Sequence, residues 1–207
     1  MTAYYLYDTT LRDGAQAEDV SSTVENKGRI SRLLDEVGVA YIEGGWPGSN
    51  PRDKLYFEKI SKAPLERARL VAFGSTARPQ KTASRDGQVQ RLVKSGAPAV
   101  AVVAKTWDFH VKHALKTTLA ENLRMIVRTV RYLKRHFDEV FFDAEHFFDG
   151  YVANPDYALD ALLAAEDAGA DWLVLCDTNG GSLPYAVEHI VQRVRHGAQK
   201  PLGVHMH

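Results

Sequence analysis

In Val37-Gly38-Val39-Ala40-Tyr41-Ile42-Glu43 a helical stretch meets a glycine, an apolar run follows, and the run ends on a charged residue. The same order returns at Ser95-Gly96-Ala97, leading into Val100-Ala101-Val102-Val103. It returns again at Ala168-Gly169-Ala170, leading into Leu173-Val174-Leu175. Glycine is the usual residue just past a helix end, and a short apolar run after it reads as a buried strand. Working outward, strands are expected at Tyr4 to Asp8, Val39 to Glu43, Leu70 to Gly74, Ala99 to Ala104, Val140 to Asp143, Trp172 to Cys176 and Leu202 to His207. Helical patterns lie between them. Ile30, Leu33, Leu34 and Val37 fall on one helix face behind a Ser22-x-x-Glu25 capping box. Leu123, Ile126, Val127 and Val130 do so behind Thr118-x-x-Glu121. Asn154-Pro155 supplies an N-cap with proline at the first helical position. Helices over Pro51 to Ile60 and Ser84 to Val93, and one carrying Val187, Ile190, Val191 and Val194, complete a set of six.

Strands alternating with helices imply parallel strands joined by right-handed crossovers. An open doubly wound sheet and a (β/α)8 TIM barrel both satisfy this. Charged and polar residues close nearly every strand: Asp8, Glu43, Lys105, Asp143 with Glu145, Asp177 with Thr178, and His205 with His207. A barrel brings all those ends to one site, whereas an open sheet uses only the ends near its switch point. No GxGxxG or GxxxxGK[ST] follows the first strand. The α/β barrel is therefore the expected fold. A barrel of this class needs about 250 residues and the chain has 207. The expectation is a single catalytic barrel domain over residues 1–207, truncated at its C-terminal side. Its first and seventh strands should face an open gap with apolar edges.

The 26 basic and 26 acidic residues balance, which argues against a nucleic-acid groove, since phosphate binding needs a clustered basic excess. No apolar run approaches a membrane span, and the N-terminus lacks the regions of a secretory signal. One cysteine, Cys176, excludes an intramolecular disulfide and points to the cytoplasm. With no basic neighbour in sequence, Cys176 reads as a small buried hydrophobe rather than a nucleophile.

Five stretches hold residues of chemical interest. Asp8-Thr9-Thr10-Leu11-Arg12-Asp13-Gly14-Ala15-Gln16 follows the first strand. Arg12 offers a planar, permanently charged fork for a carboxylate or an enolate-like oxygen, and Asp13 can bind a metal. A polar turn closed by an ion pair would have the same composition. His205-Met206-His207 places two imidazoles on one side of a strand. They make half of a metal site that Asp13 would complete as two histidines and one carboxylate. A frayed strand end or a tag remnant is the plainer reading. Asp143 and Glu145 also share a strand face. Thr178 can donate to a substrate carboxylate or simply open a helix. Lys105 to His110 could hold an anion or form an exposed loop.

Together these stretches resemble the DRE-TIM metallolyases. The Asp8 to Gln16 stretch resembles their N-terminal signature, and Gly203-Val204-His205-Met206-His207 their metal-binding strand. Three further stretches are similar to the citramalate synthase branch of that family: Tyr41 to Pro51, Asp143 to Tyr151 and Cys176 to Gly181. The resemblance implies a divalent metal (Mg, Mn or Zn) held by Asp13, His205 and His207. It implies Arg12 and Glu145 as catalytic residues, with Glu145 beside Arg12, and Arg12, Gln16, Asp143 and Thr178 as contacts to substrate. The implied reaction is a Claisen-type condensation of acetyl-CoA with the 2-oxo acid pyruvate, giving (R)-citramalate for isoleucine biosynthesis, by a homodimer. Isopropylmalate or homocitrate synthesis, cleavage of a hydroxyacyl-CoA in the manner of hydroxymethylglutaryl-CoA lyase, and binding of metal and keto acid without turnover are the alternatives. The resemblance names no general base within these residues.

Overall fold

Seven parallel strands lie side by side in chain order in a computed structural model that describes residues 4–207. They are β1 (Tyr7–Asp8), β2 (Tyr41–Gly45), β3 (Arg69–Ser75), β4 (Ala99–Lys105), β5 (Glu139–Glu145), β6 (Trp172–Asp177) and β7 (Leu202–Met206). The helices are α1 (Val24–Val37), α2 (Pro51–Ile60), α3 (Gly87–Val93), α4 (Asp108–His113), α5 (Leu119–Leu133), α6 (Phe147–Ala153), α7 (Pro155–Ala168) and α8 (Pro184–Gly197). Sequential order with every pair parallel is the topology of a TIM barrel. Among the described residues β1 pairs with β2 alone and β7 with β6 alone, so the barrel is open between them. Leu6 and Val204 at these edges are 71% and 53% exposed, which is the gap expected from the length.

Alternation along the strands sorts the core into two layers. One face of the sheet packs Ile42, Val100, Val102, Phe142 and Leu173 against Leu92, Ile126, Val130 and Leu162 of the helices. The other face turns Tyr41, Val71, Phe73, Ala99, Ala101 and Phe141 into the barrel. There Tyr41, Phe141 and Trp172 interlock, with ring centroids 4.9 to 6.2 Å apart. This aromatic plug closes the amino ends of the strands, so the polar residues at the carboxyl ends line the remaining opening.

Thr118 accepts from the Glu121 N–H at 3.1 Å, and Asn154 accepts from the Tyr157 N–H at 3.2 Å ahead of Pro155. Both caps are as the sequence implies. Gly38 and Gly169 end their helices in the left-handed region, φ 90° and 106°.

Several expectations are corrected. The cap of α1 is Thr23, not Ser22; Thr23 accepts from the Asn26 N–H. The first strand is two residues long rather than five, since only Tyr7 and Asp8 pair with β2. The third helix begins at Gly87 behind Asp86, preceded by a 3-10 turn over Ala83–Arg85. Two short helices, α4 and α6, add to the six expected, each set directly after a strand.

The largest correction concerns α1. Leu33 and Val37, expected inward, are 58% and 79% exposed, while Lys27, Ser31 and Asp35 are buried. Each of the three is satisfied. Asp35 accepts from the backbone N–H groups of Glu66, Arg67 and Ala68. Ser31 bonds the Lys27 carbonyl and the Tyr56 hydroxyl. Lys27 pairs with Asp53. Buried polar groups are tolerated when fully bonded, and a hydrophobicity pattern does not register that.

Candidate active site

The loop after β1 is turned inward by one carbonyl. Thr9 O accepts from the N–H groups of Arg12, Asp13 and Gly14 at 3.0, 2.8 and 3.2 Å, while the buried Leu11 anchors the turn in the outer core. Arg12 and Asp13 consequently point over the barrel mouth. Arg12 Nε donates to Glu43 Oε1 and Nη1 donates to Asp13 Oδ1 at 2.9 Å. The guanidinium also lies over the Phe73 ring, 4.0 Å from its centroid, a cation–π contact. Glu43 is fully buried, and its second oxygen accepts from the Tyr7 hydroxyl at 2.6 Å.

Asp13, His205 and His207 come together, with one ligand atom from each lying within 4.8 Å of the others. Asp13 Oδ2 is 3.3 Å from His205 Nε2 and 2.9 Å from His207 Nε2. Ligand atoms each 2.0–2.2 Å from one ion stand about 3 Å apart, so this spacing fits a divalent cation among them. Two imidazoles and one carboxylate suit Zn or Mn. His207 Nδ1 lies 3.0 Å from the Thr178 carbonyl, which can only accept. That fixes the proton on Nδ1, so that Nε2, 2.9 Å from Asp13 Oδ2, is the nitrogen that would ligate an ion. Gly180, at φ 63°, makes the approach possible, since a Cβ there would lie 2.7 Å from the His207 carbonyl oxygen.

The charges tune one another. Burial alone would raise the Asp13 carboxyl, but Arg12 and His207 outweigh it and hold it below the usual carboxylate range. Burial, with the nearby His207, lowers His205, which favours the neutral imidazole a metal needs. The bond to the Thr178 carbonyl raises His207. Burial, reinforced by Glu43, pushes Tyr7 well above its ordinary value, so its hydroxyl remains a donor. Burial raises Glu43, against the pull of Arg12.

Asp143 enters from β5, buried and facing the same interior. Burial first, then the charge of Glu43, pushes its carboxyl up to about 7. Cys176 projects from β6 beside it, and burial holds its thiol well above the ordinary value. Cys176 is thus neither nucleophile nor thiolate ligand, in line with the sequence reading. Thr178 is half-buried and its Oγ1 accepts from the His146 N–H at 2.9 Å. With one lone pair so engaged, its own proton is free to point at a ligand. His146 reaches it through a left-handed backbone, φ 54°.

Glu145 is not beside Arg12. It pairs with Lys105, its partner in the register of β4 and β5. The carboxylate against Arg12 is Glu43. The reason is topological: a loop following β1 meets the end of its neighbour β2, whereas β5 lies three strands further on. Sequence reasoning noted Glu43 among the strand ends without giving it this partner. It missed Tyr7 and Phe73, whose inward orientation only the register reveals. Gln16 lies exposed on the 3-10 turn Gly14–Gln16.

The fold is an open parallel TIM barrel that converges two histidines, a carboxylate and a shielded arginine at its strand ends, a donor set that could hold a divalent cation. The HMGL-like family model matches residues 3–207, and the chain belongs to that family. The chain is 56% identical over 204 residues to the (R)-citramalate synthase of Aquifex aeolicus, covering 98% of this chain and 39% of that protein. It is 53% identical over 207 residues to the (R)-citramalate synthase of Geobacter sulfurreducens, covering 100% of this chain and 39% of that one. The chain thus spans about two fifths of the length of these relatives. Among solved structures, hydroxymethylglutaryl-CoA lyase from Pseudomonas aeruginosa superposes with a TM-score of 0.75 at 20% identity, over 98% of this chain and 67% of that one. That likeness concerns the fold.

Proposed function

We propose that this barrel serves a metal-dependent Claisen-type condensation of acetyl-CoA with pyruvate to (R)-citramalate, an entry to isoleucine biosynthesis. The observation that carries the reading is the adjacency of the Asp13–His205–His207 cluster to Arg12, in a chain with more than 50% identity to proteins bearing that activity in their names. When bound by the three ligands, a divalent cation supplies Lewis acidity at the keto oxygen. Arg12, oriented by Glu43 and Phe73, donates to the oxygen that gains negative charge as the new carbon–carbon bond forms. Thr178 donates to the 2-oxo acid carboxylate. Asp143, whose carboxyl burial pushes up to about 7, lines the pocket, and the Lys105–Glu145 pair forms its rim. The aromatic plug shields the site from the amino ends of the strands, and the thioester enters from the strand-end face.

The test is release of free CoA from acetyl-CoA with Mn2+ and pyruvate, set beside 2-oxoisovalerate, 2-oxoglutarate and no acceptor, with calorimetric pyruvate binding in parallel. Pyruvate-dependent release is expected, lowered roughly a hundred- to a thousandfold by Arg12→Ala, as for loss of one preorganised donor. Release with another acceptor alone would transfer the reading to the isopropylmalate or homocitrate type. Binding of pyruvate without release would reduce it to a binding role.

The same reading makes residues 1–207 the first seven strands of a catalytic barrel, whose free β1 and β7 edges take up further barrel units. Amide exchange at Leu202–Met206 should then slow at least tenfold in a chain carrying a following βα unit, and unchanged exchange would oppose it. No helix among the described residues is long and apolar enough to cross a membrane. A buried, unpaired Cys176 accords with the reducing cytoplasm; an oxidation-dependent activity would contradict that placement. A homodimer is expected by sedimentation, and a monomer at tens of micromolar would refute it.

A further inference from the structure

We infer that the buried ion pair Lys27–Asp53, outside the barrel, is a positioning element for Arg12, acting through a bulge in β2. This rests on the reading of Arg12 as the anion-stabilising group of the site. The pair lies between α1, α2 and β2, with Lys27 1% exposed. Lys27 Nζ donates to Asp53 Oδ1 at 2.6 Å and to the Gly44 carbonyl at 2.8 Å. Asp53 Oδ2 accepts from the Trp46 N–H at 2.9 Å. The pair therefore grips the main chain on both sides of Gly45, directly after Glu43.

The strand is shaped around this grip. Glu43 pairs with Val71 but Gly45 pairs with Ala72, so Gly44 is an extra residue in β2. A Cβ on Gly44 would lie 2.6 Å from the Tyr56 ring. Gly45 has φ +136°, and a Cβ there would lie 2.6 Å from Asp53 Oδ2 and 2.8 Å from Lys27 Nζ. Glycine is required at both positions, at Gly44 by the Tyr56 ring and at Gly45 by the pair itself and its positive φ.

The bulge determines which side chains enter the barrel. With strict alternation Glu43 would point in and Trp46 out. The extra residue resets the parity, so that Trp46 joins Phe73 in the inner layer, centroids 5.5 Å apart. Phe73 carries the Arg12 guanidinium on its face, and Glu43 accepts from Arg12 Nε. The bulge thus supports Arg12 through Trp46 and Phe73, and the grip on the Gly44 carbonyl fixes the main chain directly after Glu43. An ion pair that served stability alone could be exchanged for apolar residues of similar volume. Here the exchange would strand the Gly44 carbonyl and the Trp46 N–H.

The test reads Arg12 directly by 15N NMR of its Nε–H, assigned by loss of the peak in Arg12→Lys, with thermal midpoint and CoA release measured alongside. The single variants Lys27→Met and Asp53→Leu should lower the midpoint. The double variant should recover part of it, the stranded Gly44 carbonyl and Trp46 N–H holding back the rest, and the Arg12 Nε–H should exchange with solvent at least tenfold faster than in the wild type. Wild-type protection of that proton in a folded double variant would overturn the inference. If the double variant does not fold, Asp53→Asn against Asp53→Ala makes the same comparison. Asparagine keeps an acceptor for Trp46 N–H and should keep Arg12 protected; alanine should not, and equal protection in both would overturn the inference. Lost protection with undiminished CoA release would leave the positioning intact and remove the catalytic role given to Arg12.

Discussion

Glu43 and Asp143 enter the barrel from different sides, one on β2 and one on β5, and both are buried. Glu43 meets a guanidinium and a phenol. Asp143 has no hydrogen-bond partner among the described residues, and burial moves its carboxyl to about 7. A buried carboxylate that accepts from both an arginine and a phenol is fixed in position. One without a partner is a group whose proton is in play near neutrality. The β2 side of the mouth is therefore preorganised, and the β5 side is left for a ligand to complete.

The sharpest way to break this contrast is to remove Glu43. Glu43→Ala strands the Arg12 guanidinium, and loss of one partner from a buried pair costs about 3–5 kcal/mol. Denaturant titration should show that loss, and a change below ~1 kcal/mol would mean that Asp13 alone can hold Arg12. On the other side the sign reverses. A carboxyl raised in the folded state adds stability below its unfolded pKa of about 4, and that stability is lost as pH rises through about 7. Asp143→Asn should therefore stabilise the chelator-treated protein at pH 8, by on the order of 2–4 kcal/mol, and do little near pH 4. Glu43, Arg12, Asp13 and Glu145 are the charges that act on this group. A variant less stable than wild type at pH 8 would contradict its unpartnered state. Third comes Thr178→Val, expected to weaken 2-oxo acid binding roughly tenfold, about 1.4 kcal/mol for one donor to a charged group. Thr178→Ser should retain affinity, and calorimetry that found Ser and Val alike would remove the hydroxyl from the pocket. The smallest effect lies far from the comparison. Thr118→Ala should cost about 1 kcal/mol through its cap and leave ligand binding unchanged, a control for general destabilisation.

Strand order and the strand-end cluster were legible in the sequence because local rules govern them. Glycine stops, apolar runs and polar strand ends each act over a few residues, and two histidines two apart on a strand must share a side. Asp13 joined them because the loop after β1 borders the barrel opening. What stayed hidden depends on partners distant in sequence. The polar buried face of α1 needs Asp53 and the backbone at Glu66 to Ala68 to make sense of it. Resemblance suggested Glu145 as the partner of Arg12, whereas neighbouring strands place Glu43 there, a signal that chain order alone could have supplied. The β2 bulge flips Trp46 to the inside, and alternation read from sequence cannot anticipate a parity change.

Every role proposed for the site requires a cation held by Asp13, His205 and His207 beside Arg12. Calorimetric titration of Mn2+ into the chelator-treated protein should give one site, lost in Asp13→Ala and in His207→Ala but kept in Glu145→Gln, with pyruvate binding dependent on that Mn2+. Equal Mn2+ binding by the wild type and the two alanine variants, or pyruvate binding indifferent to the metal, would contradict it.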